Sequence, residues 1–309
     1  MSEVTHELAQ ATLSKGACER RRRKQATIQL LRGGAIACFF LCIMLLMAML
    51  HLNRLPVREI VFEGNVHYSE NALLQIFPQK VGDALHLVNR ESIRETMLAE
   101  CAYLSDVSVE VSLRGVVKVT VREREALWAL RYNADEDTVG YALLDAELRA
   151  LEYVQGSMSA CVVICPGIAL PRVGETLAQA AVRHENAYIE NMISQGMDED
   201  DIQAPPYRQA EQELAERLLT LSRAFSEAQT LDAPAAIDFS AAYDYTLTLQ
   251  NGSMLLLGNA LQLETQIAYA AQAMANYRSS QGFLSTGQAL MVDVRDLSRV
   301  FVREISPQP

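Results

Sequence analysis

The sequence predicts an α+β protein: an N-terminal transmembrane helix, a β-α-α-β-β domain, then a mixed β-rich domain with flanking helices. Three observations predict it. Residues 33–53 contain no Asp, Glu, Lys or Arg. Residues 57–124 alternate between strand-like and helix-like periods in a compact order. Beyond residue 126 many short apolar runs recur, interrupted by two long helical periods.

The charge-free stretch GGAIACFFLCIMLLMAMLHL, Gly33–Leu52, spans about 30 Å as a helix, the thickness of a bilayer core. It has no polar face. A cleavable signal peptide would have a shorter apolar region of about 7–15 residues and a small-residue cleavage site. This run is longer and leads into NRLP without such a site. Arg20, Arg21, Arg22, Arg23 and Lys24 precede it, so the positive-inside rule leaves a tail of residues 1–32 in the cytoplasm and the bulk of the chain outside. The tail carries seven basic and three acidic groups; with −11 over the whole chain, −15 remains for the rest. That acidity disfavours nucleic acid and anionic lipid as partners.

Of six cysteines, Cys18 falls in the tail, Cys38 and Cys42 in the anchor, and Cys101, Cys161 and Cys165 outside. Cys161 and Cys165 sit in CVVIC, where strand geometry separates them by roughly 13 Å. Disulfide Cα atoms lie within about 7 Å. They read as small buried apolar residues.

The first extracytoplasmic domain is expected over residues 55–125. VREIVFEG is a β-rich run. Ser69 caps a helix through ENALLQIF, which Pro78 ends. Asn89 caps a second helix, RESIRETMLAE, with Ile93, Met97 and Leu98 at helical spacing. DVSVEVSL and VVKVTVRERE alternate around an Arg114-Gly115 turn.

The second domain is expected over residues 126–306. Strand-like runs are ALWALRY, GYALLD, ELRALEY, SACVVIC, YDYTLTL and SMLLLG. Asn251-Gly252 between the last two suits a type I′ hairpin turn. Arg208–Ala228 places Leu214, Leu218, Leu221 and Phe225 on one helix face, and a helix through ALQLETQIAYAAQAMANYRSS does the same with Leu263, Ile267, Ala270 and Met274. Residues 185–207, polar, acidic and proline-containing, read as an exposed excursion. The chain closes on ALMVDVRDLSRVFVRE, two alternating runs around Asp296-Leu297-Ser298: a hairpin with Val292 and Val294 on one side, Asp293 and Arg295 on the other, and Val300 and Val302 against Phe301 and Arg303.

Motifs for catalysis are missing from the sequence. There is no G-x-S-x-G, P-loop, H-E-x-x-H or paired C-x-x-C. His51, His67, His86 and His184 lack zinc-ligand spacing. Asp198–Asp201 are consecutive acids without the alternation and turn glycine of a calcium loop. The expectation is a non-enzymatic protein with no cofactor, no metal and no small-molecule substrate. The competing class is a membrane-anchored extracytoplasmic enzyme or cell-wall-binding module.

The order of these segments resembles the bacterial cell-division family FtsQ/DivIB, single-pass proteins with a POTRA domain and a β domain. VREIVFEGNVHYSENALLQ is similar to the POTRA opening and VSVEVSLRGVVKVTVRERE to its last strands. YALLDAELRALE, CPGI, LLLGNALQLETQIAYAAQAM and MVDVRDLSRVFVRE resemble segments of the β domain. Ala126 stands where the family often has proline, and DAEL where it has an Asp-x-x-Gly turn. The resemblance implies a division-site scaffold in the cell membrane at the septum, helping regulate septal peptidoglycan synthesis. Its implied partners are divisome membrane proteins of the FtsB/DivIC and FtsL type. It implies strand addition along Arg299–Ile305: Val300, Phe301, Val302 and Ile305 as apolar contacts, Arg299 and Arg303 facing acidic groups, and Asp293 and Arg295 in support.

Overall fold

The protein is described by a computed structural model covering residues 34, 37–47, 49, 55–133, 138–156, 159–198, 201–205, 207–228, 231–241, 244–281 and 288–305. Residues 37–47 are helical, and their large apolar side chains are exposed. Residues 33, 35, 36, 48 and 50–53 of the expected anchor, and the basic run Arg20–Lys24, lie outside the described residues. No helix among the described residues is long and apolar enough to cross a membrane.

By contact density the chain divides into two units. One holds Met1–Glu63, Phe77–Ile93 and Val109–Val119; the other holds Gly64–Ile76, Arg94–Ser108 and Thr120–Pro309. Strands β1 (Glu59–Glu63), β2 (Leu104–Val111) and β3 (Val116–Glu123) form a sheet in the order β1-β3-β2. Helices α1 (Glu70–Ile76) and α2 (Arg90–Glu100) fall between β1 and β2, giving the expected β-α-α-β-β order. The Ser69 hydroxyl accepts the Ala72 N–H, and the Asn89 side chain accepts those of Glu91 and Ser92. Each satisfies a helix N-terminus that would otherwise leave donors unpaired.

In the first unit, the Val57 N–H donates to the Asp83 carbonyl and Phe62 meets Phe77 edge to face. In the second, Gly64 sits at φ +87° with a would-be Cβ 2.3 Å from the Val121 carbonyl oxygen. No other residue type tolerates both the left-handed backbone and that approach.

The larger sheet has nine strands in the order β12-β11-β10-β9-β8-β7-β4-β5-β6. In chain order they are β4 (Trp128–Asn133), β5 (Val139–Leu144), β6 (Ala150–Val154), β7 (Cys161–Ile164), β8 (Pro234–Asp238), β9 (Tyr245–Leu249), β10 (Met254–Gly258), β11 (Leu290–Asp293) and β12 (Phe301–Glu304). The sheet is mixed: β4–β7, β7–β8 and β10–β11 pair in parallel, the other neighbours antiparallel. Helices α3 (Leu177–Ser194) and α4 (Arg208–Glu227) lie between β7 and β8, and α5 (Leu263–Gln281) crosses from β10 to β11. Parallel neighbours need such crossovers, because a tight turn reverses the chain. One core joins the apolar stripes of α4 and α5 to the inner face of the sheet, including Trp128, Leu218, Ile237, Leu247, Ile267 and Val292.

Three local expectations change. The β9–β10 connection is not type I′, which needs positive φ at both central residues. Gly252 alone is left-handed there, at φ +82°. The Gly252 N–H donates to the Leu249 carbonyl and the Leu249 N–H to the Ser253 carbonyl, so the loop is a type I turn closed by a glycine bulge. The first half of the supposed excursion 185–207 is helix: α3 runs to Ser194, started by a reciprocal capping box between Thr176 and Gln179. Strand β8 adds a strand that the sequence pattern did not mark. Cys101 and Cys161 are buried, Cys165 is half-buried, and all three are free thiols.

Candidate functional site: the terminal sheet edge

The chain closes in an antiparallel hairpin that pairs Leu290 with Glu304, Met291 with Arg303, Val292 with Val302 and Asp293 with Phe301. β11 is anchored on its other side by parallel pairing with β10 and by two further bonds. The Val294 N–H donates to the Leu256 carbonyl, and the Leu290 N–H to the Ser253 hydroxyl. Gln266 on α5 is buried and donates from Nε2 to the carbonyls of Leu257 and Val294, at 2.8 and 3.0 Å. A buried amide bonded to two strand ends fixes where the hairpin leaves the core.

β12 is the last strand of the order, and among the described residues no strand lies beyond it. The register tells which backbone groups face outward. The Ile305 N–H donates to the Ala289 carbonyl, so positions 301, 303 and 305 bond inward to β11. In an antiparallel ladder the alternate positions point away. The N–H and C=O groups of Val302 and Glu304 therefore face the open side.

Side chains divide the same way. Val300 and Val302 pack on the core, while Phe301 on the opposite face is 64% exposed. Ile305 is half-buried and Arg299 exposed. Arg303 donates to the Met291 sulfur. Arg295 holds Asp293 in a two-pronged bond, Nε to Oδ1 at 2.9 Å and Nη2 to Oδ2 at 2.6 Å. That guanidinium keeps the Asp293 carboxyl below the usual aspartate range. Behind the strand, the Tyr277 hydroxyl donates to Glu304 at 3.2 Å.

The structure thus gathers Asp293, Arg295 and Arg299–Ile305 into one hairpin. It separates their roles: Val300 and Val302 serve the core, and Phe301 and Arg303 look outward. Sequence reasoning missed Gln266, Ser253, Met291 and Tyr277. Gln266 carried a signal, as a polar residue beside Leu263, Ile267 and Ala270 in a buried helical stripe. The histidines are dispersed: His67 stacks on Tyr103, and His184 stacks on Tyr207. Among the described residues no three His, Cys, Asp or Glu side chains are grouped to hold a metal.

Compared with known families, residues 55–124 match the POTRA domain, FtsQ-type. The match bears out the resemblance to FtsQ/DivIB and supports a protein-interaction role in cell division. No curated protein matches the chain.

Proposed function

We propose that this chain, which carries an FtsQ-type POTRA domain over residues 55–124, is a non-enzymatic division-site scaffold that receives a partner strand on the outer edge of β12. The carrying observation is that edge: a strand end-placed in its sheet, with the backbone groups of Val302 and Glu304 aimed outward and Phe301 exposed beside them. Unpaired N–H and C=O groups template a new strand, and alternating side chains select it. The partners are membrane proteins of the FtsB/DivIC and FtsL type, and the role is regulation of septal peptidoglycan synthesis. Gly33–Leu52 is the anchor, with Arg20–Lys24 on the cytoplasmic side; the exposed apolar side chains of residues 37–47 support a lipid-facing helix. Residues 55–125 and 126–306 are the two extracytoplasmic domains.

Proline placement tests the edge. Glu304→Pro removes an outward N–H, a position where edge strands accept proline. Arg303→Pro removes an inward one and breaks the ladder. Glu304→Pro should retain the thermal melt and lose co-purification with the division partners, as should Phe301→Glu. Full partner retention in Glu304→Pro would rule out strand addition at β12. Depleting the protein should produce filamentous cells.

A further inference from the structure

Helix α3 is built unlike the other long helices. Leu177 and Ala180 in its first turn are buried, and beyond them no residue of the helix is. Its remaining length packs on α4. His184 stacks on Tyr207, Tyr188 meets Tyr207 edge to face, and Arg208 pairs with Glu185 at 2.7 Å. Glu211, buried at 3% exposure, accepts from the Ala169 N–H at 2.7 Å and bonds His184 Nδ1 at 2.9 Å. Together with the Thr176 capping box, these contacts hold α3 as a preformed arm.

On a different side from that packed face, α3 shows an apolar stripe. Val182 is 57% exposed, Ile193 45% and Met197, just past the helix, 44%; Ile189 between them is half-buried. Val182, Ile189 and Ile193 are seven and four residues apart, which puts them in one line along the helix, about 16 Å from Val182 to Ile193; Gly196 at φ +89° then turns the chain before Met197. The unpaired charges near the stripe have one sign. Glu190, Asp198 and Asp201 have no ion-pair partner among the described residues, whereas the nearby cations are committed: Arg183 to Glu175, and Arg208 to Glu185.

We propose that this face of α3 docks a basic amphipathic helix of another protein, as an interaction separate from the β12 edge. Apolar residues at near-heptad spacing are what one helix offers another, and flanking charge sets which helix is accepted. A second copy of this chain would bring the same acidic flanks and be repelled. A basic helix with leucines at matching spacing gains on both counts.

The test uses the full chain in neutral nanodiscs and a fluorescent synthetic peptide with Leu at i, i+3, i+4 and i+7 and Lys elsewhere. Its scrambled isomer serves as the charge control. The amphipathic peptide should bind the wild type about tenfold more tightly than it binds the Val182→Gln/Ile189→Gln/Ile193→Gln variant, a difference of about 1.4 kcal/mol. Glu190→Gln/Asp198→Asn should weaken it too and flatten its salt dependence. Phe301→Glu should leave it unchanged, which separates this surface from the β12 edge. Val182 and Ile193 are exposed and Ile189 is half-buried, so the melting temperature of the triple variant should fall by no more than about 4 °C. Equal affinity of the peptide for wild type and the triple variant, or equal binding of the scrambled peptide to wild type, would overturn the proposal. So would a sedimenting dimer that the triple variant abolishes, since the occupant would then be a second copy.

Discussion

Buried thiols give the core a chemical readout at the scale of single residues. Burial pushes Cys161 up to about 12 and Cys165 up to about 11. The folded state thus favours the neutral thiol. Its contribution is fully present below the ordinary thiol pKa and is lost as pH rises through these raised values. Alkylation at pH 8, read by peptide mass spectrometry, should leave Cys161 unmodified until denaturant is added, with Cys165 reacting as pH approaches 11. Labelling of Cys161 at pH 8 at the denatured rate would contradict its placement. The sequence already marked these cysteines as apolar fillers. It did not mark Gln266, whose value depends on two carbonyls far away in sequence, at Leu257 and Val294. Its own helix gave the clue, but its partners exist after β10 and β11 are brought side by side.

Elements show where pattern suffices and where it fails. The strands with strong alternation, such as β3, β9 and β11, carry burial that follows the alternation, because a half-buried sheet writes its period into the sequence. β8 is PAAID, opening on proline with small residues and no contrast between faces. Its strand state is imposed by β7 and β9 on either side. α3 carries apolar residues on two faces, Leu177, Tyr188 and Met192 on one and Val182, Ile189 and Ile193 on another, so no single stripe stood out in the sequence; the Thr176-x-x-Gln179 box marks its start. Thr176→Ala should cost about 1 kcal/mol of stability, measured by urea unfolding, with the loss of helical signal concentrated in α3. No change on that substitution would mean that packing on α4 alone starts the helix. The Asn251-Gly252 turn carries the same lesson: the dipeptide located the reversal, and the three-residue count fixed its type.

For the whole molecule, the candidate site was legible as a place before it was legible as a geometry. Alternation in the last sixteen residues through Glu304 marked a hairpin, and the resemblance marked it as a docking edge. Which side lay open depended on the crossover of α5, which seats β11 parallel to β10 and leaves β12 outermost. Deleting residues 290–309 should abolish partner co-purification while hydrogen exchange over residues 55–124 stays protected. Loss of protection there would make the terminal hairpin a folding requirement for the protein rather than a joint.

The shortness of β12 has a thermodynamic consequence. Val302 and Glu304 present four outward backbone groups, and net hydrogen bonds at about 0.5–1.5 kcal/mol each sum to about 2–6 kcal/mol. Bringing two free molecules together costs an estimated 4–15 kcal/mol. A freely diffusing peptide would therefore gain little from this edge. A partner tethered in the same bilayer pays much less, because confinement raises its effective concentration toward the millimolar range. On the proposed reading, such a joint would close when both proteins share a patch of membrane and open when they part, so that assembly at this edge would report local crowding more than intrinsic affinity.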